Sequence, residues 1–154
     1  MKLYLVQHGE ATSKDVDPKR PLTQRGIQDV TKTANFLNKS GAGIDIIWHS
    51  EKTRAIETAK IIAKELSPRE CVQQKEGLAP NDPAKKIFDK ILSAEKDLMI
   101  VGHLPFLQKL ASLALFNSES PGIIGFRQGG VVCLERKETG AWELIIAIPP
   151  DLLL

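Results

Sequence analysis

The sequence predicts an α/β protein in which a mostly parallel sheet of about six strands lies between two layers of helices, a three-layer αβα sandwich. Short apolar runs alternate along the chain with longer segments whose apolar residues recur at helical spacing. Near the C-terminus two apolar runs, residues 125–135 and 142–148, flank the turn-forming residues 137–140. This last pattern predicts a hairpin, and therefore an antiparallel C-terminal edge to the sheet.

Length and composition are those of one globular domain, which we expect to span residues 1–154. The net charge is +2 and no block of like charges occurs, which argues against nucleic-acid binding. No apolar run approaches the ~18 residues that a membrane span requires. Two distant cysteines, Cys71 and Cys133, are expected to be reduced and buried. A soluble cytoplasmic protein is the resulting expectation.

The first strand and the first helix have clear local signals. Residues 3–6 are apolar and are followed at once by His8 and a glycine, as at the end of a buried strand. Thr23 is a good N-cap for a helix over residues 24–39, and Gly41 provides the stop. The chain is therefore expected to present His8 at the carboxyl end of a strand, where ligand crevices form in α/β sheets.

A second strand and helix follow. Residues 44–48 are apolar, and Ser50 is expected to cap a helix that Pro68 terminates. This places Arg54 in the first turn of the second helix, with a short third strand around residues 71–73.

The next unit repeats the pattern of the first. Asp82 followed by Pro83 predicts an N-cap and a first helical residue. The apolar run 98–101 then ends in glycine and His103, and Pro105 is expected to open the fourth helix. The chain therefore places a second histidine beyond the end of a strand.

All three histidines of the chain, His8, His49 and His103, follow predicted strands. The carboxyl ends of parallel strands share one edge of a sheet, so these side chains are expected to converge, with Arg54 and Arg20 nearby. Guanidinium groups and helix N-termini both bind phosphate oxygens. The sequence therefore predicts a phosphoryl site at this edge. Three histidines at one edge also permit a zinc site, which is an alternative.

Four segments in this order resemble the histidine phosphatase superfamily, which has the phosphoglycerate-mutase-like fold, and within it the SixA-type phosphohistidine phosphatases. The segments are residues 5–10, residues 20–23 with Gly26, residues 50–55 with Thr58 and Ala59, and residues 101–105. The resemblance covers nearly the whole chain. It implies a phosphatase that acts on the phosphohistidine of a phosphotransfer protein in signal transduction and releases inorganic phosphate, with no metal or cofactor.

The resemblance also implies roles for individual residues. His8 is the expected nucleophile, which becomes phosphorylated and is then hydrolysed by water. It must be neutral, with its other ring nitrogen donating to a carbonyl such as that of Gly9. Arg20 and Arg54 would bind the phosphoryl oxygens, and His103 would donate to another of them. His49 has no counterpart in the family pattern and is expected to be structural.

Gln7 departs from the family pattern, which has Arg at this position. A neutral amide still donates hydrogen bonds to phosphate, but these are about half as strong as charge-assisted ones. Lys19 or Lys52 is a candidate for supplying the missing charge. A phosphate-binding or phosphoprotein-binding module with weakened catalysis is therefore a second alternative.

Three carboxylates, Glu10, Glu76 and Asp82, are candidates for a general acid, and their spacing does not distinguish them. A phosphoester would need such an acid to protonate its leaving alkoxide. The imidazole of a phosphohistidine leaves with less help, because its conjugate acid has a pKa of about 6.5. Protein phosphohistidine is thus the favoured substrate, and a small phosphomonoester is the alternative.

Overall fold

The computed structural model describes residues 1–120 and 122–154. The strands are β1 Lys2–Gln7, β2 Ile46–His49, β3 Cys71–Gln74, β4 Leu98–Gly102, β5 Val131–Arg136 and β6 Trp142–Ile148. The helices are α1 Gln24–Lys39, α2 Thr53–Leu66, α3 Ala84–Ala94 and α4 Phe106–Phe116, and a short 3-10 helix covers Pro150–Leu152. None of these helices is long and apolar enough to cross a membrane.

The strands form one sheet in the order β3-β2-β4-β1-β5-β6. Strands β1 to β4 are mutually parallel, and β5 and β6 add an antiparallel edge. The predicted sheet is therefore confirmed. Because β2, β4 and β1 are neighbours, their carboxyl ends lie side by side, as the site prediction requires.

Helices cover both faces of the sheet. In β1, Leu3 and Leu5 belong to the core cluster that contains Ile91 of α3 and Phe106 of α4. The alternate residues Tyr4 and Val6 belong to the cluster packed by α1 and α2. Side chains of a strand point to alternate faces, so a strand buried on both faces must be apolar throughout. This explains the uninterrupted apolar runs and confirms the three-layer architecture.

Local capping signals predicted one helix start correctly and two incorrectly. Thr23 caps α1, and its side chain accepts a hydrogen bond from the Gly26 N–H. Ser50 was expected to cap α2, but the N-cap is Lys52. Asp82 was expected to cap α3, but its carboxylate accepts from the N–H of Ala79, three residues before it. In both cases the polar side chain is engaged in another contact.

Strand β5 is shorter than the predicted run of residues 125–135, since it begins at Val131. Gly129 has φ +74°, which takes the chain out of extended geometry just before the strand. Its N–H donates to the carbonyl of Gln7. Both cysteines are free thiols. Cys133 is buried as expected, whereas Cys71 is half-buried because β3 is an edge strand.

The turn after β1 packs directly against the first turn of α1. The Thr23 N–H donates to the carbonyl of Glu10 at 2.9 Å. A Cβ atom at Gly26 would lie 2.2 Å from the same carbonyl oxygen, and one at Gly9 would lie 2.8 Å from Val30 Cγ2. Glycine is therefore required at both positions by close packing, since neither has a positive φ.

Gly26→Ala should lower the free energy of unfolding by about 2 kcal/mol or more, because overpacking against backbone forces the turn after β1 away from α1. Urea unfolding measures this. Gly125→Ala is the matched control, since the nearest atom to its Cβ would be 3.6 Å away. It should change stability by less than about 0.5 kcal/mol. Equal effects of the two substitutions would contradict the packing requirement at Gly26.

Candidate active site

His8 is the first residue after β1, and its side chain is only 7% exposed. Its backbone N–H donates to the Gly102 carbonyl at 3.0 Å, which extends the pairing of β1 with β4 by one residue. Nδ1 lies 2.7 Å from the Gly9 carbonyl oxygen, which can only accept, so Nδ1 carries the proton. Nε2 accepts a hydrogen bond from Arg54 Nε at 3.4 Å. The two contacts fix one neutral tautomer of His8, with a lone pair on Nε2.

Burial lowers the pKa of His8 from 6.5 to about 4. The hydrogen bond to Gly9 acts in the opposite direction, and the charges of Arg54 and Arg20 lower the pKa further. The imidazole is therefore neutral near pH 7. Neutrality is the state that a nucleophilic histidine requires.

His103 follows β4, and its ring centroid lies 5.1 Å from that of His8. Its Nε2 atom is 2.6 Å from Ser50 Oγ. Its Nδ1 atom is buried and has no hydrogen-bond partner among the described residues. Burial lowers the pKa of His103 to about 3, with smaller contributions from His8, Arg54, Lys52 and Arg20. His103 is therefore also neutral, and one of its ring nitrogens is buried without a hydrogen-bond partner in the described part of the chain.

Arg54 lies in the first turn of α2, as predicted. Burial lowers the pKa of its guanidinium, and the charge of Arg20 adds to this effect. Arg20 reaches the same region with φ +50°, and its Nε donates to the Thr12 carbonyl at 3.2 Å. Both arginines line a hollow of about 430 Å³. Its other lining residues are Lys14, Pro18, Lys19, Glu51, Lys52 and Thr53, so the hollow is mainly basic.

Helix α2 also fixes the two loops that carry the site. Thr58 Oγ1 accepts from the Gly9 N–H and donates to the Arg54 carbonyl. The Glu57 carboxylate accepts from the N–H of Leu22, two residues after Arg20. Sequence reasoning assigned no role to Glu57. Its spacing of three from Arg54 was the available signal, because residues i and i+3 share a helix face.

Gln7 is the last residue of β1, and its side chain lies on the sheet face opposite to that of Val6. The alternation of β1 places its side chain on the face of Leu3 and Leu5, opposite the face of Val6. Its Oε1 atom is buried and has no hydrogen-bond partner in the described part of the chain. Contact of Gln7 with phosphate stays a prediction.

The three candidate acids lie in different surroundings. The Glu10 carboxylate accepts from the Thr23 hydroxyl at 2.6 Å. Asp82 accepts from Ala79, as described above. Glu76 lines a second hollow of about 130 Å³ beside Ser50, together with Asp82 and Glu51. Two of the three carboxylates are therefore already engaged in hydrogen bonds, Glu10 to the N-cap of α1 and Asp82 within its own loop.

His49 does not join the other two histidines in a three-ligand cluster. Its Nδ1 lies 3.0 Å from the Ser50 carbonyl oxygen and donates to it. Over residues 1–120 and 122–154, no group of three His, Cys, Asp or Glu side chains is arranged to hold a metal ion. The predicted convergence at the sheet edge thus applies to His8, His103, Arg20 and Arg54.

Residues 3–80 match the sequence model of the histidine phosphatase superfamily, branch 1. An uncharacterised protein of Picosynechococcus sp. (strain ATCC 27264 / PCC 7002 / PR-6) is 33% identical to the chain over 169 aligned positions. The alignment covers 100% of the chain and 99% of that relative.

Three solved structures are similar to the chain over nearly its whole length. The protein histidine phosphatase SixA complexed with tungstate has a TM-score of 0.86 at 19% identity and covers 98% of each chain. The α-ribazole phosphatase from Shigella flexneri has a TM-score of 0.78 at 16% identity over 97% of each chain. The phosphoserine phosphatase from Entamoeba histolytica, in complex with 3-phosphoglyceric acid, has a TM-score of 0.71 at 20% identity over 95% of each chain. These likenesses confirm the phosphoglycerate-mutase-like fold. Because the three names carry different substrates, the fold does not specify the substrate.

The neutral histidine pair makes the free energy of unfolding depend on pH. The unfolded chain binds protons on its histidines below a pKa of about 6.5. The folded chain does so only near about 4 at His8 and about 3 at His103. The unfolding free energy should therefore fall as the pH decreases from about 6.5 towards 4, by up to about 1.4 kcal/mol per pH unit for each histidine.

Urea unfolding at a series of pH values measures this slope. The double variant His8→Gln, His103→Gln should have a flatter profile between about pH 6.5 and 4.5, because neither position can then take up a proton. An identical slope in the double variant would show that other groups cause the dependence.

Proposed function

The chain belongs to branch 1 of the histidine phosphatase superfamily, and from this premise we propose that it hydrolyses phosphohistidine in a protein substrate through a phosphorylated His8. The observation that carries the proposal is the fixed state of His8. It is buried and neutral, its Nδ1–H is bound to Gly9, and its Nε2 lone pair faces the Arg54 guanidinium. A nucleophile in this state needs no base to remove a proton before it attacks.

The reaction has two balanced steps. In the first, the Nε2 lone pair of His8 forms a bond to phosphorus while the P–N bond to the substrate imidazole breaks. That imidazole nitrogen keeps the electron pair and takes a proton from solvent. In the second, water attacks phosphorus, the bond to Nε2 breaks, and inorganic phosphate leaves after the water has lost a proton. His8 returns to its neutral state.

Arg54 and Arg20 would bind the phosphoryl oxygens during both steps. Phosphoryl transfer depends chiefly on alignment and on neutralising charge at the equatorial oxygens. Arg54 Nε already donates to the nucleophilic atom, so the guanidinium lies next to the reacting centre and would transfer its hydrogen bonds to the oxygens of a phosphoryl group that reaches Nε2. The N-terminus of α2, which begins at Thr53, adds a favourable helix dipole.

Two of the three candidate acids are already engaged, which favours a phosphohistidine substrate over a phosphoester, and the carboxylate that lines the hollow of Arg20 and Arg54 is Glu51. Glu10 is bonded to Thr23, Asp82 is bonded to Ala79, and Glu76 lines the hollow on the Ser50 side. An alkoxide leaving group would need one of them to donate a proton at the reacting phosphorus. An imidazole leaving group has a much weaker need, because its conjugate acid has a pKa of about 6.5.

The wild-type protein should dephosphorylate a phosphohistidine-containing phosphotransfer protein rapidly and hydrolyse p-nitrophenyl phosphate slowly or not at all. Release of inorganic phosphate measures both reactions, and an alkaline quench preserves any phosphoenzyme, because phosphohistidine is stable in base and labile in acid. His8→Gln should abolish turnover, because the amide has no nucleophilic lone pair. Its fold should be retained, as checked by circular dichroism.

His49→Gln is the matched control, since His49 is also a buried histidine at the end of a strand but has no place in the proposed steps. It should retain turnover within about twofold. Faster hydrolysis of p-nitrophenyl phosphate than of the phosphoprotein would favour the small phosphomonoester. Phosphoprotein binding without turnover or a phosphoenzyme would favour the binding-module alternative.

Gln7→Arg should raise the rate of p-nitrophenyl phosphate hydrolysis by at least about tenfold. Charge-assisted hydrogen bonds to a phosphoryl group are about twice as strong as neutral ones. Loss of one donor at such a site lowers the rate by a factor of about 10² or more. Gln28→Arg, at an exposed position of α1, makes the same change in net charge and should have no effect. An unchanged rate in well-folded Gln7→Arg would show that this position does not contact the phosphoryl group.

A further inference from the structure

We propose that Ser50 is a positioning residue whose hydroxyl fixes the proton of His103 on Nδ1, so that the ring presents an N–H donor to a phosphoryl group on His8. This inference rests on the proposed function for the identity of the ligand. The assignment of the His103 tautomer does not depend on that function and rests on the structure alone.

The proton assignment follows from the contacts of one oxygen atom. Ser50 Oγ accepts the backbone N–H of Lys52 at 3.2 Å and lies 2.6 Å from His103 Nε2. A hydroxyl has one proton to donate, and Lys52 N–H cannot accept it. The oxygen has two lone pairs and could accept from both neighbours, but its own proton would then have no acceptor among its described contacts. Donation to His103 Nε2 gives that proton an acceptor, so we assign Ser50 as the donor. A neutral ring that accepts at Nε2 carries its own proton on Nδ1.

The strands fix this contact in space. The Ser50 N–H donates to the Val101 carbonyl at 3.2 Å, so Ser50 continues the pairing of β2 with β4. The Ser50 carbonyl accepts from His49 Nδ1. Ser50 is only 2% exposed, and His103 follows β4 directly. Both partners therefore extend neighbouring parallel strands, which leaves the hydroxyl little freedom to turn elsewhere.

His103 Nδ1–H then has the properties of a donor that awaits a ligand. It is buried, and no described group accepts from it. A buried donor without a partner costs about 1 to 3 kcal/mol, and a ligand that accepts from it recovers this cost. The His8 ring lies 5.1 Å away between centroids, so His103 is a direct neighbour of the proposed nucleophile.

The opposite tautomer of His103 would provide no N–H donor for the phosphoryl group. Phosphoryl oxygens carry lone pairs and negative charge, and they accept hydrogen bonds only. A ring with its proton on Nε2 would turn the Nδ1 lone pair towards this anion. Because the ring is neutral, the position of one proton decides whether His103 attracts or repels the phosphoryl group.

Nitrogen NMR of ¹⁵N-histidine-labelled protein at neutral pH tests the tautomer directly. The wild type should show His103 protonated at Nδ1, with the signal assigned by its loss in His103→Gln. Added inorganic phosphate should shift that N–H proton. Protonation at Nε2 in the wild type would overturn the proposal whatever any variant does.

Ser50→Ala should release the ring to mixed tautomers and slow phosphoenzyme formation by about 10-fold to 100-fold, mainly in kcat, as for loss of a transition-state donor. Ser50→Thr keeps a hydroxyl and should restore the Nδ1–H signal. Ser93→Ala, which removes a hydroxyl that donates to the Asp89 carbonyl within α3, should change neither. An unchanged tautomer and rate in folded Ser50→Ala would refute the role of Ser50.

The two proposals fail in different ways. If the phosphoprotein leaves no phosphate on His8, the proposed function fails, whereas the NMR experiment still reports the tautomer of His103. If the phosphoenzyme forms at the same rate in Ser50→Ala, the proposed function stands and Ser50 is only structural.

Discussion

The close approach of the turn after β1 to the first turn of α1 is the contact on which the site depends. It brings the Glu10 carbonyl to the Thr23 N–H and leaves no room for a Cβ at Gly26. The same turn places the Gly9 carbonyl against Nδ1 of His8, and so determines which nitrogen of that ring carries a lone pair. Close backbone packing at Gly9 and Gly26 thus determines which nitrogen of the His8 ring is protonated.

The site combines two neutral side chains with two positively charged ones. Two neutral imidazoles are buried beside two guanidinium groups, and the charges of the arginines help to keep the imidazoles neutral. Burial, and then repulsion from the charge of Arg20, lowers the pKa of Arg54. A phosphoryl group bound as proposed would offset this repulsion and accept from His103 Nδ1. The arrangement is therefore costly to the empty protein and favourable to a bound phosphoryl group, as is usual for functional sites.

The fold and the convergence of His8 with His103 could be predicted because they follow from local patterns and strand order. Apolar runs placed both histidines just beyond parallel strands, and Thr23 marked the start of α1. Ser50 could not be assigned from its neighbours in sequence, because its partner His103 is 53 residues away. Serine is a preferred N-cap residue, but the Ser50 hydroxyl instead forms a hydrogen bond to His103, which follows the neighbouring strand. Such contacts become visible only once the sheet order is known.

The chain has a neutral Gln7 at the end of β1, where the resemblance implies an arginine. Positive charge is present instead in the neighbouring hollow. Lys19 and Lys52 line the basic hollow together with Arg20 and Arg54. Flexible lysines at a rim raise the local potential and attract an anion, but they orient it less well than a planar guanidinium does. Orientation matters most when the leaving group is poor, because the transition state then needs every donor in place. The proposed phosphohistidine substrate is consistent with such a site, because a labile P–N bond makes a smaller demand on oriented donors than a phosphoester does.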